Sequence, residues 1–110
     1  MDKKLMAIST SMLVLKLLEK QEMYGYQLIK ELELRSEKVF QLKEGTLYPI
    51  LHGLEQQNAI ESFEQIAETG RIRKYYKITD EGRKLLKEKT VEWNSYQNAV
   101  NKVLGGALYE

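Results

Sequence analysis

The sequence predicts a mostly helical α+β domain, in which three helices are followed by a two-stranded hairpin and one further long helix. Apolar residues recur at helical spacing in three segments, which are residues 5–20, 24–35 and 44–57. Two runs rich in β-branched and aromatic residues, 60–66 and 72–78, are joined by a segment that ends in Gly70, a pattern typical of a hairpin. Three helices followed by a hairpin is the element order of a winged helix-turn-helix.

Residue types at the element ends support these boundaries. Asn58 follows the last apolar residue of the third helix and suits a left-handed helix stop. Thr79, followed by two acidic residues, is expected to cap the last helix, which should end at Gly105-Gly106. The inner face of the second helix is expected to consist of Tyr26, Leu28, Ile29 and Leu32.

The last helix carries a seven-residue apolar repeat. Leu86, Trp93 and Val100 recur at this interval, Tyr96 lies between the last two, and Val103 and Leu104 follow them. A small domain offers no partner long enough to cover such a face, so the repeat predicts a dimer interface between two copies of the helix. We therefore expect residues 1–78 to form the winged helix-turn-helix and residues 79–106 a dimerisation helix. The wide apolar stripe of helix 5–20 fits either a central core helix or one that also packs on the second subunit.

Composition excludes several classes of function. The chain has 110 residues, no cysteine and one histidine, which argues against disulfides, zinc-thiolate sites and thiol nucleophiles. No Ser-His-Asp set, phosphate loop or metal cluster is visible, so we expect neither an enzyme nor a cofactor. No apolar run is of membrane-spanning length, and the start Met-Asp-Lys-Lys does not resemble a signal peptide, which together predict an intracellular protein. Because the net charge is only +1, any binding of DNA must depend on local charge placement.

Candidate DNA-binding residues cluster in two places. At the start of the third helix, hydroxyl groups and an apolar ring are suited to phosphates, base edges or a thymine methyl group. Beside the hairpin turn, basic side chains would reach phosphate or a minor groove. The candidates are Lys43, Thr46, Tyr48, Pro49, His52, Arg71, Arg73 and Lys74. Alternatives remain for some of them: Arg73 and Lys74 could form a solvated strand face, Tyr48 could be a packing residue, and His52 could be a proton switch or a plain exposed polar group.

Three motifs carry a family resemblance. Residues 24–32 read Tyr-Gly-Tyr-Gln-Leu-Ile-Lys-Glu-Leu, residues 45–49 read Gly-Thr-Leu-Tyr-Pro and precede Leu54-Glu55, and residues 73–79 read Arg-Lys-Tyr-Tyr-Lys-Ile-Thr and precede Gly82. With them the chain resembles the PadR family of bacterial transcriptional regulators, in its smaller subgroup with a single short C-terminal helix and multidrug-responsive members. The resemblance implies a dimeric repressor that binds a palindromic operator in double-stranded DNA. It also implies a cytoplasmic location, at the nucleoid when the protein is bound.

The resemblance further implies a ligand site, because a tryptophan at the matching place lines a pore between subunits in the multidrug-responsive members. Trp93 would then stack on a small aromatic effector, with Ile8, Met12 and Lys89 as neighbours. Ordinary interface packing of Trp93 is the alternative. The chain departs from the family pattern at His52-Gly53, where basic residues are common, and at Ile72, which splits the basic residues of the wing. The near-neutral net charge and the acidic wing residues Glu64 and Glu68 keep open a second interpretation, a winged-helix protein-interaction module that does not bind DNA.

Overall fold

The computed structural model describes residues 3–105, with side chains described from Ser9 onwards. Its helices and strands are α1 (Lys3–Lys20), β1 (Met23–Tyr24), α2 (Gly25–Arg35), α3 (Glu44–Gln56), β2 (Ile60–Ile66), β3 (Ile72–Ile78) and α4 (Asp80–Val103). The predicted class and element order are confirmed, with one addition. The sheet has three antiparallel strands in the order β1-β3-β2, because the two-residue strand β1 pairs with the outer edge of β3.

The core lies around α1, which is the central helix of the domain. Four apolar side chains of α1 are buried, and they are covered by the inner faces of α2 and α3, by the sheet and by the start of α4. The core consists of Val14, Leu15, Leu17, Leu18, Met23, Leu28, Leu32, Leu42, Leu47, Leu51, Leu54, Ala59, Ile60, Tyr76 and Leu86. No helix among residues 3–105 is long and apolar enough to cross a membrane.

Most of the predicted element ends are confirmed. Asn58 has a positive φ of 59° just after α3, and Gly70 has a φ of 86° in the hairpin turn. Gly105 has a φ of 88° just after α4, as the predicted helix stop requires, while Gly106 lies outside the described residues. Tyr26 is a correction: it was expected on the inner face of α2, but its side chain is exposed because α2 begins one residue before it and turns that side outwards.

The junction between the hairpin and α4 is fixed around Thr79. Its hydroxyl donates to the carbonyl of Asn58 (2.6 Å) and accepts from the N–H of Gly82 (2.9 Å), which confirms the predicted cap. Gly82 has no room for a side chain, because a β-carbon there would overlap the carbonyl oxygen of Ala59. The first turn of α4 is thus held directly against the start of β2, and this contact sets the direction in which α4 leaves the domain.

Candidate nucleic-acid interface

A groove of about 540 Å³ opens where the start of α2, the start of α3 and the end of β3 next to the hairpin turn meet. It exists because β1 is only two residues long: beyond Tyr24 the chain turns into α2, and residues 72–74 of β3 have no neighbouring strand on that side. The groove is lined by Tyr24, Gly25, Tyr26, Glu44, Tyr48, Arg71, Ile72, Arg73 and Lys74. It brings together four of the predicted DNA-binding residues, one from α3 and three from the wing.

The other four predicted residues are exposed on or beside α3. The helix is oriented by Leu47, Leu51 and Leu54, which are buried against the core. This orientation leaves the opposite side of α3 to solvent, and the predicted residues on that side are Lys43, Thr46, Pro49 and His52. Helix α3 therefore offers a polar face that continues the groove lining, as a recognition helix would.

Tyr48 is both a packing residue and an accessible one. A β-carbon placed on Gly25 would lie 2.7 Å from the Tyr48 hydroxyl oxygen, so the tyrosine ring lies directly against the first turn of α2. The side chain is nevertheless 44% exposed at the groove. The Tyr48 hydroxyl can occupy this position at the groove wall because Gly25 has no side chain.

Behind the groove, α3 is tied to the sheet through polar groups. Glu55 of α3 accepts a hydrogen bond from the Ser62 hydroxyl on β2 (2.9 Å). The neighbouring Tyr76 of β3 is buried, and burial, followed by the negative charge of Glu55 and the proximity of Tyr48, raises the pKa of Tyr76 to about 12. Through the Glu55–Ser62 hydrogen bond and the buried Tyr76, α3 and the hairpin form one packed unit behind the groove.

The basic side chains of β3 lie on both faces of the strand, as the period of two requires. Lys74 lies on the same face as Tyr76, with its Nζ 5.6 Å from the centre of that ring, and it faces Glu64 across the hairpin. Arg73 lies on the other face, where its Cζ is 4.4 Å from the centre of the Tyr24 ring. Both side chains nevertheless reach the groove, since they stand at its rim.

Five lining residues were not among the predicted site residues, and three of them lie within the motif at residues 24–32; the five are Tyr24, Gly25, Tyr26, Glu44 and Ile72. The sequence placed Tyr24 at the start of the second helix and Tyr26 on its inner face, whereas the structure places Tyr24 in β1 and both tyrosines at the groove. Glu44 is exposed in the first turn of α3, where a carboxylate stabilises the positive helix end. The same carboxylate places one negative charge among the three positive charges of the groove.

Comparison with known proteins identifies the family. The model of the "Transcriptional regulator PadR-like family" matches residues 14–88, which include α2, α3, the hairpin and the start of α4. The chain belongs to the PadR family. Members of this family are transcriptional regulators that bind DNA.

Individual relatives agree with the family model over most of their length. The PadR chain is 34% identical over 85 residues to the transcriptional regulator Rv3488 of Mycobacterium tuberculosis, covering 77% of its own length and 73% of the relative's. A solved transcriptional regulator from Clostridium thermocellum has a TM-score of 0.84 at 32% identity, with 91% and 97% of the two chains covered. A PadR-like regulator from Bacillus cereus has a TM-score of 0.81 at 29% identity, with 94% and 99% covered.

A second cavity, of about 370 Å³, lies between α1 and α4 of the PadR chain. It brings together Met12, Lys89 and Trp93, three of the four predicted ligand-binding residues, while the side chain of Ile8 lies outside the described residues. Glu92 and Tyr96 complete the lining. The rings of Trp93 and Tyr96 are tilted towards each other, with centroids 6.3 Å apart. Among the residues with described side chains, no three His, Asp or Glu residues come close enough to hold a metal ion.

The predicted dimer residues separate into two groups along α4. Leu86 is only 5% exposed and belongs to the core of its own chain. Beyond it, α4 lines the cavity beside α1 as far as Tyr96. The apolar residues of this outer part are half-buried or exposed, and Val103 and Leu104 reach 86% and 76% exposure. The group with accessible surface is Trp93, Tyr96, Val100, Val103 and Leu104.

Proposed function

We propose that this PadR-family chain is a homodimeric repressor that binds a palindromic operator through α3 and the groove, and that a small aromatic ligand releases it. The observation that carries the DNA-binding part is the groove itself. Arg71, Arg73 and Lys74 converge on the starts of two helices, whose backbone N–H groups and dipoles also favour anions. This combination suits the phosphates that flank a major groove.

The polar face of α3 would supply sequence recognition. Thr46, Tyr48, Pro49 and His52 are exposed on a helix whose opposite face is locked into the core. Hydroxyl and imidazole groups can bond base edges, and the Pro49 ring can contact a thymine methyl group. Lys43, just before α3, would contact phosphate. Because the net charge is only +1, the affinity of the chain for DNA should depend strongly on these individual side chains.

The dimer would form through the outer part of α4. Trp93, Tyr96, Val100 and Val103 follow each other at intervals of three, four and three residues, which is the spacing of a coiled-coil seam. Their exposure in the single chain is the supporting observation. Two subunits related by a two-fold axis would present two α3 helices to DNA, and a palindrome with half-sites about one turn apart, ~34–36 Å, would match them. In this arrangement residues 79–106 serve as the dimerisation helix.

The cavity beside Trp93 is the proposed effector site. Its volume lies within the range of small-molecule pockets, which is roughly 300–1,000 Å³. Trp93 and Tyr96 supply aromatic faces, Met12 supplies an adaptable apolar wall, and Lys89 and Glu92 place one charge of each sign at the rim. Since Trp93 and Tyr96 also belong to the proposed seam, a ligand between them would change the angle between the two wings. We place this cycle in the bacterial cytoplasm, at the nucleoid while the repressor is bound.

The decisive experiment is selection of random duplex DNA on the purified chain, followed by sequencing of the retained pool. Enrichment of a palindrome would support the proposal and would define the operator. On that operator, the double substitution Arg73→Ala/Lys74→Ala should weaken binding and reduce the slope of log affinity against log salt by about one for each lost phosphate contact. If no sequence is enriched even at low salt, the protein-interaction module becomes the better reading, and a pull-down should return one stable protein partner.

A further inference from the structure

The side chain of Arg73 is held by an aromatic ring. Its guanidinium carbon lies 4.4 Å from the centroid of Tyr24, within the range in which a cation is attracted to the ring face. Among the residues whose side chains are described, Arg73 makes no ion pair or side-chain hydrogen bond. The Tyr24 ring is therefore the main feature that fixes where this guanidinium lies.

The Tyr24 ring is itself held firmly. It meets the Tyr75 ring edge-on at 5.3 Å, and Tyr75 in turn stacks on Phe63 at 5.7 Å. The Tyr24 backbone pairs with Tyr75 in the sheet, and its N–H donates to the Gln27 side chain at the start of α2 (3.1 Å). A three-ring ladder across all three strands thus supports the position of the guanidinium.

Stacking leaves the donors of the arginine free. A guanidinium packed on a ring face keeps its N–H groups in its own plane, directed outwards from the stack, where they can bond a phosphate in bidentate fashion. Arg73 and Tyr24 both line the groove, so these donors stand at the proposed path of the DNA backbone. A mobile arginine side chain would lose rotamer entropy when it binds phosphate, whereas one that already packs on a ring has lost part of that entropy before DNA binds.

We propose that Tyr24 is a positioning residue for DNA binding: its ring holds Arg73 in the orientation in which the guanidinium meets phosphate. The inference rests on the proposed function of the groove and adds to it a residue that donates nothing to DNA itself. It also gives the two-residue strand β1 a role, because the pairing of β1 with β3 is what brings Tyr24 alongside Arg73.

The test is a double-mutant cycle on the selected operator. Tyr24→Leu keeps an apolar side chain but removes the ring, and it should lower operator affinity about three- to tenfold. The salt slope should stay close to that of the unchanged chain, since no charge is lost. In an Arg73→Ala background, Tyr24→Leu should change affinity less than twofold. Tyr24→Phe retains the ring and should bind within twofold of the unchanged chain.

Tyr26→Leu is the matched control, because Tyr26 lines the same groove but lies near Lys30 rather than Arg73. Its effect on affinity should be the same with and without Arg73. Thermal unfolding of each variant distinguishes a loss of the fold from a loss of the Arg73 orientation. The inference is overturned if Tyr24→Leu binds normally, if its loss persists without Arg73, or if Tyr24→Phe loses as much as Tyr24→Leu. Failure of the unchanged chain to bind any DNA would instead overturn the proposed function.

Discussion

Gly25 and Tyr48 are in direct contact across the base of the groove: a β-carbon on Gly25 would lie 2.7 Å from the Tyr48 hydroxyl oxygen and 3.1 Å from the ring carbon that bears it. The contact joins the first turn of α2 to α3, so it limits how closely these two helices approach each other at the groove. Because the obstructing atom is the end of a side chain, Tyr48 can yield where a backbone atom could not. The contact is therefore a sensitive place to separate DNA binding from stability.

We expect Gly25→Ala to displace the Tyr48 ring, lowering operator affinity severalfold at a modest cost of about 1 kcal/mol in unfolding free energy. In a Tyr48→Leu background, where the ring is gone, the stability cost should disappear. Gly53→Ala on α3 is the control, since a β-carbon there meets no atom within 4 Å, and it should stabilise the chain by roughly 0.5–1 kcal/mol. Chemical unfolding of the four variants checks this. An equal cost of Gly25→Ala with and without the Tyr48 ring would show that the contact is not the cause.

Glu44 opposes the charge of the groove in which it lies. We expect Glu44→Gln to tighten operator binding a few-fold at low salt, because a carboxylate near the phosphate path is removed, and to bring less gain at high salt. The same change should lower the unfolding free energy by about 0.3–1 kcal/mol, since the carboxylate stabilises the start of α3. Titrations at two salt concentrations measure the first effect. Glu88→Gln, on α4 and outside the groove lining, should change affinity little. Weaker binding of Glu44→Gln would mean that the groove does not face phosphate.

The elements were predictable from the sequence because each carries its own signal. The apolar stripes of α1 and α3 and the hairpin turn at Gly70 depend on neighbours within a few residues. Strand β1 has no such signal, since two residues show no alternation and become a strand only when β3 lies beside them. The role of Tyr24 in the groove follows from that pairing, so it could not be derived from local pattern.

The apolar repeat of α4 shows a different limit of sequence reasoning. Leu86 and Val100 lie on the same repeat, yet Leu86 is buried in the core of its own chain while Val100 is only half-buried. An apolar repeat indicates that one face of a helix is buried, but it does not show whether the same chain or a second subunit buries that face. Which part of the repeat is covered by its own chain depends on how α4 packs against α1, and this is a tertiary property.

The turn between α2 and α3 contains backbone strain that a substitution can relieve. Glu37 and Lys38 have positive φ values of 52° and 71°, a region that disfavours side chains with a β-carbon. We expect Lys38→Gly to raise the unfolding free energy by about 0.5–1 kcal/mol, which is the relief of strain less the added entropy of the unfolded chain. Lys30→Gly, within α2, should instead lower it by about 1 kcal/mol. Urea unfolding distinguishes them. A loss of stability in Lys38→Gly would show that the lysine side chain contributes more than its backbone conformation costs.

The raised pKa of Tyr76 makes a prediction about alkaline stability. The pKa of Tyr76 is about 12 in the folded chain, whereas the unperturbed value for tyrosine is 10.0. The neutral form is thus favoured by folding, so this contribution to stability is fully present below pH 10 and is lost as the pH rises from about 10 to about 12. Tyr76→Phe cannot ionise, and its unfolding free energy should fall less steeply over that interval. Since other tyrosines and lysines also titrate there, the measurement is the difference between the two chains from pH 9 to 12. Parallel curves would contradict the assignment.

Substitutions at Val103 and Leu86 are expected to have different effects, one on association and the other on stability, although both residues lie on the apolar face of α4. Val103 is 86% exposed, so Val103→Glu should leave the domain folded but dissociate the proposed dimer, because it would place two carboxylates against each other in the proposed seam. Leu86→Ala should lower the unfolding free energy by about 2–4 kcal/mol, since it leaves a cavity in the core. Sedimentation at equilibrium, compared with the 12.9 kDa mass of one chain, reports association, and thermal unfolding reports stability. Lys102→Glu, an exposed change beside the apolar repeat, should remain dimeric. If the unchanged chain sediments as a monomer, or if Val103→Glu still forms dimers, the proposed seam on the outer part of α4 is wrong.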